Sequence, residues 1–364
     1  MTRRVLDVAD VRHIATGAMF VSCALDHETG ARHRDELVRL MEERGTGPVL
    51  VSVDELDPEA LTAAVGFVNN GLPISEMIPV GDEFDIAVEL LQERLGVRLA
   101  GIFPLAAATV NAVVPLLTSL HTGIPVIDAD PMGRVLPLVS QTTLALAGKN
   151  AGPVALTGPT GERAVIDVTD PVRTDRIERA LAGEFGGWAA TASYPGTARD
   201  LAEAGVLGSY SRLLEIGRIL DAPRRVHDKY AALTRLLQLR KPISARVVEI
   251  EGLSRPASPE QPDRPWSVTL VEETRGRIIR LELQNEILMM LVDGAVEAII
   301  PDIITILRAA DAGLASVVDD IWVGNRLTLF SFPAAPQWYT ADGLRMAGPA
   351  AMQFLAGEHR RRAR

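Results

Sequence analysis

The sequence predicts two domains: an α/β N-terminal domain with a mostly parallel sheet, and an α+β, β-rich C-terminal domain. Three observations carry this. Over roughly the first 150 residues, helical patterns alternate with short apolar runs, the arrangement that gives parallel sheets covered by helices. Beyond Ala245 the chain turns strand-rich. A chain of 364 residues also exceeds what one small core holds.

The elements follow in order. Residues 34–44 form an amphipathic pattern with Leu37, Leu40 and Met41 on one face. Gly45-Thr46-Gly47-Pro48 stops that helix, and 49–53 read as a buried strand. A second helix spans 84–95, with Ile86, Leu90 and Leu91 inward and Gly96 just past its end. Residues 99–103 form a strand, 110–120 a helix and 124–128 a strand. Beyond Gly152 the rhythm changes: 153–156 and 163–168 are short strands around the turn Gly158-Pro159-Thr160-Gly161, and 173–182 is a helix. Residues 210–220 and 229–239 read as helices, and 246–251, 266–272, 277–283, 287–292 and 326–332 as strands. Four prolines place 254–265 in a surface loop. The domains are drawn at 1–160 and 161–364, the second ending in a mostly antiparallel β module.

Composition bounds the function. Apolar residues make up 47% and charged residues 23%, an ordinary globular mixture, while only 4% are aromatic, so the cores are aliphatic. A net charge of −10 argues against nucleic-acid or anionic-membrane partners, which need excess Lys and Arg. The basic stretch at 359–364 reads as a solvated tail. Cys23 is the one cysteine, which excludes an intramolecular disulfide and a multi-cysteine zinc site, and its apolar surroundings read as burial. No apolar run has the form of a secretion signal or a bilayer span, so a cytoplasmic protein is expected. The six histidines follow no ligand spacing, and no phosphate-binding, serine-hydrolase or nicotinamide motif is present.

The most informative stretch is Gly123-Ile124-Pro125-Val126-Ile127-Asp128-Ala129-Asp130-Pro131-Met132-Gly133-Arg134. A strand here delivers two carboxylates and an arginine into the loop at its C-terminal end, where open parallel sheets gather ligands. Alternation puts Asp128 and Asp130 on one face. Such a pair fits acid–base work, because close carboxylates raise one pKa, and it equally fits a divalent metal. Arg134 suits a clamp on a carboxylate or carbonyl. A plainer alternative is that Asp128 caps a loop and Arg134 pairs with Asp130. Gln284-Asn285-Glu286, between two strand runs, either turns a hairpin or lines a cleft, and Asp302 caps a short following helix.

These segments, in this order, resemble the S-methyl-thiohydantoin desulfurase family, found beside hydantoinase and oxoprolinase genes. Its hallmark is similar to 123–134, and further landmarks match Gly208-Ser209-Tyr210-Ser211, Ile216-Gly217-Arg218, Gln284-Asn285-Glu286, Pro301-Asp302-Ile303-Ile304 and Gly348-Pro349. The resemblance implies an N-terminal α/β domain, a β-rich C-terminal domain and hydrolysis of an S-methylated thiohydantoin, releasing methanethiol and a hydantoin. One departure stands out. Where the family carries a glycine run after its first helix, this chain reads Ile14-Ala15-Thr16-Gly17-Ala18-Met19-Phe20-Val21, so only Thr16 and Gly17 of that loop remain.

Two expectations follow. In the first the chain is a hydrolase of hydantoin- or thiohydantoin-like rings, with Asp128 or Asp130 as base or metal ligand and Arg134 stabilising charge. Thr16, Gly17, Glu76, Asn111, Gln284, Asn285 and Glu286 then bind substrate, with Glu76 and Asn111 placed by family-like loops. In the second it is a non-catalytic or regulatory subunit paired with a glycine-rich paralogue. A small-molecule substrate and a homo-oligomer are expected partners under the first, and a hetero-oligomer under the second.

Overall fold

The computed structural model describes residues 3–24, 27–69, 81–252, 266–284 and 286–351. These described residues fall into two compact units, one formed by those within 3–18 and 28–217, the other by those within 19–27 and 218–351.

The first unit opens with β1 (Arg4–Val5), α1 (Val8–Val21), α2 (His27–Arg44), β2 (Val49–Val51) and β3 (Leu61–Asn69). It continues through α3 (Glu83–Leu95), β4 (Gly101–Pro104), α4 (Thr109–Thr122), β5 (Val126–Ile127), β6 (Ala129–Asp130) and the single turn α5 (Thr143–Leu146). Then come β7 (Val154–Thr157), β8 (Arg163–Ile166), α6 (Pro171–Glu184), β9 (Trp188–Thr197), α7 (Ala198–Ala204), β10 (Val206–Leu207) and α8 (Ser209–Asp221). Eight strands form one sheet in the order β1-β2-β5-β4-β3-β9-β7-β8. Its centre, β2-β5-β4-β3, is parallel, and the strands on either side are antiparallel. The expected α/β domain is therefore present.

Local chemistry sets the helix ends. Gly96 and Gly123 close α3 and α4 in the left-handed region, at φ 68° and 75°. Asp170 caps α6 by accepting from the N–H groups of Val172 and Arg173, with Pro171 as first helical residue. The right-handed crossovers β3–α3–β4 and β4–α4–β5 put α3 and α4 on one face of the sheet. Phe84 of α3 stacks there on Trp188, ring centroids 6.2 Å apart. Alternation along β9 then places Trp188, Ala190 and Ala192 on that face, and Ala189, Thr191 and Ser193 on the other. Helix α6 packs against β3 and β9 on this second face.

The second unit holds α9 (Val226–Leu237), then β11 (Ile243–Glu251), β12 (Trp266–Glu272), β13 (Ile278–Leu283), β14 (Ile287–Val292), β15 (Ala295–Arg308) and β16 (Arg326–Phe332), and finally α10 (Ala341–Ala347). The six strands close into an antiparallel barrel. Alternate residues such as Ala245, Val247, Leu281, Ile306 and Leu329 fill it, together with Cys23. This is the β-rich C-terminal domain the sequence predicts.

Several local expectations are corrected. Thr16 to Val21 is not a loop: it completes α1, and Ala18 and Phe20 are fully buried. Asp302 caps no helix. It lies within β15, where Arg240 and the Tyr339 hydroxyl reach its carboxylate. Strands β3 and β9 carry no alternating pattern because both faces are covered, which leaves alanine-rich runs such as Ala63-Ala64 and Ala189-Ala190. Among the described residues, no helix is long and apolar enough to cross a membrane.

Candidate functional site

In the first unit the parallel strands β2, β5 and β4 end at Val51, Ile127 and Pro104, and the loops that follow meet at one edge of the sheet. Asp128 leaves β5 with its N–H donating to Val51 O at 2.8 Å. Its carboxylate caps the first turn of α8. Oδ1 accepts from the N–H groups of Tyr210 at 2.7 Å and Ser211 at 3.1 Å, and Oδ2 accepts from the Ser211 hydroxyl. A helix that starts with unpaired N–H groups is thus closed by an acid 80-odd residues earlier in the chain.

Asp130 is completely buried. Its Oδ2 accepts from Ala107 N at 3.2 Å, Met132 N at 3.1 Å and Gly133 N at 2.7 Å, and its Oδ1 from the Ser209 hydroxyl. Burial pushes this carboxyl's pKa up, and the Ser209, Gly133 and Ala107 donors pull it back. The two acids therefore tie three segments together: 105–108, 128–134 and the start of α8. Both face α8, as alternation predicts, and each is engaged by its own set of donors.

Arg134 is buried, and its Nε donates to Val135 O at 3.1 Å. Arg212, which sequence reasoning missed, donates from Nη2 to Gly133 O at 3.1 Å. Burial lowers its pKa, against the attraction of Asp130.

Asn111 stands in the first turn of α4, immediately beyond the 105–108 segment. Among the described residues, no group donates to its buried Oδ1. That oxygen lies over Gly66 of β3: a Cβ there would come within 2.9 Å of it and 2.9 Å of Leu105 Cβ. Two residues earlier, Thr109 has φ 47°, a strained conformation for a β-branched residue and one that clusters at functional sites.

The sheet face under α6 adds residues the sequence reading passed over. Register pairs Thr191 with Gly66 and Ser193 with Ala64, so both hydroxyls lie on the side to which a Gly66 Cβ would point. The Asn111 oxygen reaches that side from the first turn of α4 at the C-terminal edge of the sheet, although the body of that helix lies on the other face. Among the described residues, neither hydroxyl has a hydrogen-bond partner. Glu178, on the buried stripe Thr174, Asp175, Glu178 and Ala182 of α6, is fully buried with both carboxyl oxygens unpartnered. Burial first, then the neighbouring Asp175, push its pKa up to about 8, with Arg179 opposing. Its helix is rich in charge, so the sequence alone does not mark this residue as the inward one.

The remaining predicted residues are spread out. Thr16 and Gly17 lie in α1, where Gly17 lets the helix close on α8: a Cβ there would meet Leu213 O at 2.1 Å. Gln284 and Glu286 belong to the second unit, where Gln284 N donates to Glu286 O at 3.0 Å and turns the β13–β14 hairpin. Glu76 and Asn285 lie outside the described residues.

A divalent metal does not fit the Asp128–Asp130 pair. Their oxygens already accept seven protein donors between them, which a cation would have to displace. Among the described residues, no group of three or more His, Cys, Asp or Glu side chains is arranged to hold one.

Comparisons with known proteins cover the whole chain. The model of the S-Me-THD-like N-terminal domain matches residues 9–168, and that of the S-Me-THD-like C-terminal domain matches residues 169–359. A crystal structure of a protein from Chromobacterium violaceum shares the fold, with a TM-score of 0.73 at 21% identity over 99% of this chain and 98% of that one. No curated protein matches the sequence.

Proposed function

Because the chain belongs to the S-Me-THD-like family through both of that family's domains, we propose that it is a hydrolase acting at an sp2 carbon of a thiohydantoin- or hydantoin-like ring. The observation that carries this reading is the match of both family domains in sequence over residues 9–359. For an S-methylated ring, water adds to the carbon bearing sulfur and the C–S bond breaks. The methylthio group leaves with one proton of the water as methanethiol, the oxygen stays as the new ring carbonyl, and the other proton goes to the adjacent ring nitrogen.

That chemistry requires a held ring, support for charge developing on its heteroatoms and an activated water. Asn111, at the start of α4 with an unpartnered amide oxygen, is assigned to the ring. Arg134 is assigned to developing charge. Asp128 and Asp130 are positioning residues: held by seven donors between them, they fix the 105–108 and 128–134 segments on which Asn111 and Arg134 depend.

The test is to incubate the purified chain with an S-methyl-thiohydantoin and follow methanethiol with a thiol-reactive dye, and the hydantoin by chromatography. Stoichiometric release of both supports the reading. Absence of both, with and without added divalent metal across pH 6–9, refutes it.

A further inference from the structure

We infer that Glu178, with Thr191 and Ser193, forms a binding subsite for the –NH–C(=O)– edge of a cyclic amide or urea. The inference deepens the hydrolase reading, on which the identity of the ring rests, by naming the groups that hold the part of the ring away from the reacting carbon.

The geometry comes first. Glu178, Thr191 and Ser193 are all essentially buried, and four of their side-chain oxygens lack a hydrogen-bond partner among the described residues. Buried polar groups in native proteins are nearly always satisfied, because an unmade hydrogen bond costs about 1–3 kcal/mol. Such a concentration in one layer, between α6 and β3–β9, is chemistry held ready for a polar guest. The layer adjoins the C-terminal edge of the sheet: Thr191 pairs with Gly66, and Asn111 Oδ1 lies over that glycine. The subsite is therefore continuous with the loops to which the reaction is assigned.

The chemistry of the set selects the guest. A carboxylic acid carrying its proton offers one donor and one acceptor side by side, 2 Å or so apart. A cis amide in a small ring offers the complementary pair, N–H beside C=O, so two parallel hydrogen bonds form. The hydroxyls of Thr191 and Ser193 can donate or accept, and they serve the flanking ring atoms. An anion would be repelled by Asp175, and the positive charge nearest to Glu178 among the described residues, Arg179, is engaged by Asp175 and by Pro137 O.

Burial keeps the Glu178 carboxyl protonated up to about pH 8. The ionisable groups bearing on it are Asp175 and Arg179 on α6 and Tyr194 on β9, whose phenol is itself raised by burial. On this face β3 contributes only Ala64, Gly66 and Val68. Ionisation of Glu178 removes the donor and sets two lone pairs against the ring carbonyl, so affinity falls as pH rises through about 8.

The experiment uses the full chain and 2-imidazolidinone, a five-membered cyclic urea that does not titrate between pH 6 and 9, with binding followed by ligand-observed NMR. Its N,N′-dimethyl analogue lacks the N–H. The expected result is binding of the urea and not of the dimethyl analogue, weakening about tenfold from pH 7 to pH 9, as a group titrating near 8 requires. Glu178→Gln keeps a donor beside an acceptor and should bind without that pH dependence. Thr191→Val, which replaces an unpartnered hydroxyl by a methyl, should fold normally and bind at least fivefold more weakly. Equal binding of the dimethyl analogue, wild-type affinity in Thr191→Val, an unchanged pH dependence in Glu178→Gln, or no binding of the urea to the wild type would each overturn the inference. Methanethiol release that is indifferent to Glu178 and Thr191 sinks this subsite and spares the hydrolase reading. Urea binding that depends on Glu178, without any methanethiol release, does the reverse.

Discussion

Ser211 holds Asp128 twice, through its N–H to Oδ1 at 3.1 Å and through its hydroxyl to Oδ2. With the Tyr210 N–H on the same Oδ1, the acid at the end of β5 supplies the cap that α8 lacks in its own sequence. Removing it leaves buried donors without partners. Asp128→Ala is expected to cost about 1–3 kcal/mol, read as a lowered urea midpoint with an unchanged slope. A midpoint within error of the wild type would show that the cap is dispensable.

Two glycines make a reciprocal crossing between α1 and α8. A Cβ on Gly17 would meet Leu213 O at 2.1 Å, and one on Gly217 would meet His13 O at 1.8 Å. Backbone cannot yield as a side chain can. Gly17→Ala and Gly217→Ala should each lower stability by about 1–3 kcal/mol. Gly183→Ala, inside α6 with open space around the added methyl, should instead be neutral or stabilise by up to about 1 kcal/mol. Calorimetry on the three variants decides it, and equal melting temperatures would remove the close crossing as an explanation.

Much of this architecture was legible in the chain, and the reasons are local. Helix α3 carries one apolar stripe and α4 a nearly continuous apolar run, and they stop at Gly96 and Gly123, so pattern and punctuation marked them. The barrel strands β12, β14 and β16 show their ends because apolar runs stop at charged or turn residues. Strands β3 and β9 were illegible for the opposite reason: helices cover both faces, so no polar side alternates with the apolar one. At the site, the Asp128–Asp130 pair stood out because charge in an apolar run is conspicuous. Glu178 did not, because its helix is rich in charge and only packing reveals which charge points inward.

Glu178 should also leave its mark on stability. Its carboxyl titrates near the ordinary 4.3 when unfolded and at about 8 when folded. Between those values the native state holds a proton that the unfolded state has lost, so this contribution to stability falls as pH rises from about 4.3 to about 8 and is level above. Glu178→Gln removes the slope. Urea midpoints at pH 5 and pH 8 should show the variant gaining on the wild type by up to a few kcal/mol at the higher pH. Parallel profiles would mean that Glu178 is not a buried acid.

Cys23 packs inside the barrel unit, and burial pushes its thiol up to about 12. The thiolate is the reactive form, so a disulfide dye at pH 8 should label the native protein no faster than the protein opens, and label it fully in urea. Rapid stoichiometric labelling without denaturant would contradict this placement.

The sequence by itself determined the family, the two fold classes and the order of most elements, because periodicity, turn residues and ordered motifs are written along the chain. Only the tertiary structure decided what the conspicuous residues do. It showed that the donors on Asp128 and Asp130 join three distant segments, and that Gly17 is a helix contact. It also gathered Glu178, Thr191 and Ser193 into one buried layer. The physical reason is that a side chain's role depends on which donors and acceptors surround it, and those arrive from α4, α6, α8 and β9, elements far apart in the chain that only packing brings together.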